Sequence, residues 1–156
     1  MAFYDLSKEE RNVLVNQINV DIQEAISFGN LDKLIAYFSD EDTYIRKTGY
    51  LALGKLFYTQ RNLSTQIVST LKELLKSENE HIRQTVINAA GEIGKVHFYL
   101  VHSFFEIGLF DEHHKVRNAV IGSIKKMGEK NPEPILSWCK PYLKHPDKEI
   151  RREICH

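Results

Sequence analysis

At 156 residues with 42% hydrophobic content, the chain has enough apolar material to bury a core, which excludes disorder as its native state. Lys+Arg and Asp+Glu balance at 21 each, so no strong field of one sign advertises a polyanionic partner, although residues 1–94 carry a net −3 and residues 95–156 a net +3. Cys139 and Cys155 form no regular framework, which points to reduced thiols and a cytoplasmic setting; no secretory signal pattern opens the chain, and no apolar run of 18 residues could span a membrane.

In chain order, Ser7-Lys-Glu-Glu10 has the form of a capping box, and a helix is predicted from there to about residue 28. Val13, Leu14, Ile18, Ile22 and Ile26 make its apolar stripe, Asn16, Gln17, Asp21 and Glu24 fall away from it, and Gly29 ends it. Asn30 is placed to cap a short helix buried through Leu31, Leu34, Ile35 and Phe38. The turn Ser39 to Asp42 then caps a helix from Thr43 to about Tyr58. Further pairs follow: Leu63 to Lys76 and Glu80 to Lys95, Phe98 to Phe110 and His113 to Glu129, Pro132 to Lys144 and Asp147 onward. Asn131-Pro132-Glu133 is a helix start, and Pro141 should bend or shorten the helix that it begins. Val96 to Phe105 alone would suit a strand, but its place between helical copies overrides that.

The pairs are copies of one unit. Arg46, Arg83, Arg117 and Arg151 recur at spacings of 37, 34 and 34, each after an aliphatic residue and a polar turn, and the complete later copies close on Gly94 and Gly128. Such periodicity specifies a repeat architecture. The aliphatic-Arg pair, the small residues and the glycine resemble HEAT repeats over residues 31–156. The resemblance implies an all-α fold, a right-handed α-α superhelix of the HEAT/armadillo-like solenoid kind built from antiparallel helix pairs. One domain is expected, with an N-terminal helix at about 7–28 and repeats at about 30–58, 62–95, 97–129 and 132–156. Because the fourth copy breaks off inside its second helix, the chain reads as a fragment of a longer array or as one whose end another molecule covers. Lys130-Asn-Pro-Glu-Pro-Ile-Leu-Ser-Trp138 and Lys144 to Arg152 also look like segments of bacterial HEAT-like DNA alkylation-repair glycosylases. Their activity does not carry over, since Trp138 lies on an outer helix and no Asp matches the catalytic one.

In such a solenoid the second helices line the concave side. Lys47, Tyr50, Gly54 and Tyr58, then Gln84, Asn88, Gly91 and Lys95, then Asn118, Gly122 and Lys125 should face it. Those residues make either a contact surface for a peptide or phosphate backbone, or an ordinary solvated face. The arginine row could be taken for phosphate ligands, but recurrence at one repeat position favours a structural ladder to the neighbouring copy's acidic turn. Adjacent His113 and His114 diverge by about 100° on a helix, and Cys139, His145, Cys155 and His156 fit no metal pattern. Cys155-His156 has no orienting third group for nucleophilic chemistry. The expectation is a non-enzymatic scaffold without cofactor or metal, holding a protein partner on its concave face. The alternative is a nucleic-acid-binding relative of the repair glycosylases.

Overall fold

The computed structural model describes residues 2–145 and 147–155. Their regular structure is helical throughout: α1 (Lys8–Phe28), α2 (Asp32–Ser39), α3 (Thr43–Thr59), α4 (Ser64–Leu74), α5 (Glu80–Gly108), α6 (His114–Lys130), α7 (Pro132–Cys139) and α8 (Lys148–Cys155), with short 3-10 turns at Phe3–Asp5, Arg61–Leu63 and Lys140–Lys144. The capping box forms as written, Ser7 Oγ accepting the Glu10 amide at 3.1 Å and Glu10 Oε1 accepting the Ser7 amide at 3.0 Å. Gly29 ends α1 at φ 79°, a left-handed conformation that costs glycine little. Asn30 Oδ1 accepts the Asp32 amide at 3.1 Å, but Leu31 rather than Asn30 holds the cap position of α2, and its side chain makes no capping bond.

Two side chains of α1 depart from the expected stripe. Val13 is left 69% exposed, whereas Asp21 is only 4% exposed. The reason is tertiary: α2 lies across the flank of α1 and brings Tyr37 Oη to Asp21 Oδ2 at 2.5 Å, while Gln17 Nε2 donates to Asp21 Oδ1 at 2.8 Å. A carboxylate with two donors can be buried where an unpaired one could not.

One turn recurs before the second helix of every copy. The side chain of its first residue (Asp40, Ser77, Asp111, His145) accepts the backbone amide two residues on, at 2.8, 3.1, 2.9 and 3.0 Å. The residue so fixed then caps the helix in the first three copies: Asp42 takes the Tyr44 amide, Asn79 the His81 amide and His113 Nδ1 the Lys115 amide. The repeat arginine closes the loop by donating to the carbonyl of the turn's first residue, Arg46 to Asp40, Arg83 to Ser77, Arg117 to Asp111 and Arg151 to His145. Asp42 also accepts the Phe3 amide at 2.7 Å, which ties the N-terminal segment to the first copy.

Packing between copies builds one continuous core from Phe3 to Ile150, with Phe38, Leu53, Ile87, Ile93, Phe104 and Phe105 essentially inaccessible. Thr85 Oγ1 reaches from α5 to the Phe38 carbonyl at the end of α2, 3.1 Å away. Glycines set how closely the second helices approach. A Cβ on Gly54 would stand 2.7 Å from Glu92 Cβ, and one on Gly91 would stand 2.7 Å from Ser123 Oγ. Gly94 and Gly128 lie within helices and do not end them; a Cβ on Gly94 would run into Met127 Sδ.

The two helices expected on either side of residues 96–97 run into one another as α5, kinked at His97 (φ −114°, ψ 53°). No glycine, proline or polar linker separates them, so the chain bends without looping out. Just before the kink, Tyr58 Oη directs its proton to the carbonyls of Glu92 and Ile93, at 2.8 and 2.9 Å. Pro141 acts as expected, since α7 stops at Cys139 and continues only as a 3-10 turn. Asn131 occupies the cap position of α7, but its side chain makes no capping hydrogen bond; Pro132 at the first helical position supplies the start.

Candidate functional site

The second-helix face is built by α3, the first half of α5 and α6, which the close approaches at Gly54 and Gly91 draw side by side. At its centre is Tyr50 on α3, 7% exposed. Lys126 on α6 reaches past α5 to place Nζ 5.9 Å from the Tyr50 ring centroid. Burial raises the Tyr50 hydroxyl above its ordinary pKa, opposed by the charge of Lys47 and reinforced by that of Glu92. Glu92 itself is neutralised by Lys95, one helical turn on, at 3.0 Å.

The residues picked out by sequence divide by exposure. Lys47, Asn118 and Lys125 are exposed, Gln84, Asn88 and Lys95 half-buried. Gln84 Oε1 is inaccessible and has no hydrogen-bond partner among the described residues. Tyr58 is half-buried and its hydroxyl is committed to the kink carbonyls, while its ring stacks on His97 at 6.1 Å. Gly54 and Gly91 are buried as helix contacts, and only open space surrounds a Cβ built on Gly122. Sequence reasoning passed over Lys126, although its adjacency to Lys125 was visible; which of the two turns toward α3 depends on the α5–α6 crossing.

The arginines lie apart from this face, at the turns. Arg83 has its guanidinium on both a carbonyl of its own copy and the next copy's Asp111, with Nε to Oδ2 at 2.9 Å. That pairing holds the Arg83 pKa above its ordinary value, chiefly through the Asp111 hydrogen bond.

Among the described residues no three His, Cys, Asp or Glu side chains are grouped to hold a metal ion, and no helix is long and apolar enough to cross a membrane. His113 and His114 do stack, at 4.8 Å between centroids, and His113 already serves as a helix cap. Burial pushes the Cys139 thiol up, away from the reactive thiolate. His156 and the Cys155 side chain lie outside the described residues. Trp138 packs edge-on against Phe98 and donates Nε1–H to Glu106 at 3.3 Å, so it serves the packing of α7 on α5.

Residues 31–97 match the family model for HEAT repeats. A crystal structure of computationally designed armadillo repeat proteins for modular peptide recognition is similar over 97% of this chain and 76% of that chain, at 18% sequence identity and a TM-score of 0.40. No curated protein matches this sequence. The comparisons lend no support to the narrower likeness to alkylation-repair glycosylases. The matched segment runs from α2 to the kink of α5 and holds the first two copies of the turn, so this part of the chain is similar to HEAT repeats, within an all-α fold of packed helices.

Proposed function

We propose that this protein is a non-enzymatic HEAT-like scaffold that holds an acidic segment of a protein partner against its second-helix face. The observation that carries the reading is the setting of Tyr50: a buried aromatic ring with Lys126 above it and Lys47 beside it, while the nearby Glu92 carboxylate is already matched by Lys95. An aromatic floor with cations in excess fits a partner that brings carboxylates on an apolar stem.

Duplex nucleic acid is the competing ligand. It draws much of its affinity from many phosphate contacts and the counterions these release, and Lys47, Lys95, Lys125 and Lys126 on a chain of zero net charge supply few. The test titrates the protein with fluorescent acidic peptides and with a short duplex, plain and alkylated, at low and moderate salt. The scaffold reading expects peptide binding that falls at least about tenfold in Lys47→Glu/Lys126→Glu, with no duplex binding at physiological salt. Micromolar duplex binding lost in the same variant, or release of alkylated bases, would replace it with the nucleic-acid reading.

A further inference from the structure

The second half of α5, from Phe98 to Gly108, is polar along one flank, at His102, Ser103 and Glu106, and apolar elsewhere. Phe98, Val101, Phe104 and Phe105 turn inward, yet Tyr99 is 71% exposed, Leu100 39% and Ile107 59% on the outer side. Large apolar side chains left bare along one helix mark a contact surface. Leu100 and Ile107 border α4, and the two helices enclose a pair of recesses end to end. The first, about 330 Å³, has Phe57, Val68 and Leu100 in its walls; the second, about 340 Å³, has Leu75, Phe104 and Ile107. Lys72 of α4 lines both, and it makes no ion pair among the described residues. Lys76 by contrast is paired with Glu73 at 3.5 Å.

We propose that this outer groove between α4 and α5 is a docking site for an amphipathic helix of a protein partner, with two apolar anchors flanking an acidic residue. It is separate from the second-helix face. Leu100 and Ile107 mark the recesses two helical turns apart, about 10 Å, which matches anchors at i and i+7 of the partner; the acid between them, at i+4, meets Lys72. A helix suits the groove better than an extended peptide does. The walls are helices whose own backbone groups are paired internally, so they offer no sheet edge, and a helical ligand brings its backbone already satisfied.

The probe is a fluorescein-labelled, alanine-based helical peptide with Leu at i and i+7 and Glu at i+4, titrated against the whole chain by fluorescence polarisation. Binding is expected to weaken at least about tenfold in Lys72→Glu and to recover when the peptide Glu becomes Lys; Ile107→Glu should abolish it. Both substitutions are at surface positions, and circular dichroism would verify the fold. No saturation by about 1 mM peptide, or affinity unchanged in Lys72→Glu and Ile107→Glu, overturns the proposal. So does a dimer in analytical ultracentrifugation that Ile107→Glu dissociates, since a second copy would then be the occupant.

Discussion

The Arg83 guanidinium forks the Asp111 carboxylate, Nε to Oδ2 at 2.9 Å and Nη2 to Oδ1 at 3.2 Å, while its Nη1 holds the Ser77 carbonyl at 2.9 Å. One side chain thereby fixes the turn of its own copy and orients the turn of the next. Both partners are nearly buried, at 12% and 11% exposure, so screening by water is weak. Arg83→Ala is expected to cost about 2–4 kcal/mol in urea denaturation, because a carboxylate and a carbonyl lose their donor together. Arg83→Lys should recover only part, as an ammonium cannot fork. A double-mutant cycle with Asp111→Ala should show coupling above about 1 kcal/mol; a value near zero would mean that the fork orients nothing.

Asp21 and Tyr37 make a second linked pair. Burial pushes the Asp21 carboxyl up, but the hydrogen bonds from Tyr37 and Gln17 and the charge of Lys33 outweigh it and leave the carboxyl below its ordinary range. The Tyr37 hydroxyl is pushed up to about 12 by burial first and the Asp21 hydrogen bond second. A phenol whose folded pKa is raised contributes stability that is complete below its unfolded value of about 10 and is lost as pH rises toward the folded value. Tyr37→Phe should therefore cost about 1–2 kcal/mol at neutral pH, and its deficit against the parent protein should shrink between about pH 10 and 12. Denaturant melts across that range would show it.

At Asp42 the sign is reversed. The Phe3 amide is the main cause of its lowered carboxyl pKa, joined by the Tyr44 amide and the Arg46 charge. A depressed carboxylate stabilises above its unfolded pKa of about 3.9 and loses that contribution as pH falls through the folded value. Asp42→Ala should destabilise by about 1–2 kcal/mol at neutral pH, with the difference narrowing below about pH 4. A gap independent of pH would mean that the charge is immaterial to the cap.

Two glycines one helix apart should respond oppositely to alanine. On propensity alone Gly→Ala favours a helix by about 1 kcal/mol. Nothing obstructs a Cβ at Gly122, so Gly122→Ala should raise the melting temperature by a few degrees. At Gly91 the new methyl would meet Ser123 Oγ at 2.7 Å and Ser123 Cβ at 2.9 Å, forcing α5 from α6, and Gly91→Ala should lose about 1–3 kcal/mol despite its propensity. Melting curves of the two variants decide this, and a gain at both would show that the helices separate freely.

The sequence by itself determined the helices and their copies, because these rest on local rules. The Ser7 box, the Gly29 terminator, Pro132, Pro141 and the fixed place of the arginines can be read from neighbours a few residues apart. Tertiary structure alone decided which polar groups could be buried and which glycines were contacts. Asp21 is inside because α2 brings it a phenol, Gly91 is a contact because Ser123 arrives beside it, and the gap expected at residues 96–97 is a kink that Tyr58 supports from the previous copy. The same holds for the second-helix face. Periodicity placed Tyr50 there, but only the crossing of α6 over α5 sets Lys126 above its ring. Each of those outcomes depends on side chains at least sixteen residues apart in sequence, and no local propensity encodes the angle at which one copy meets the next.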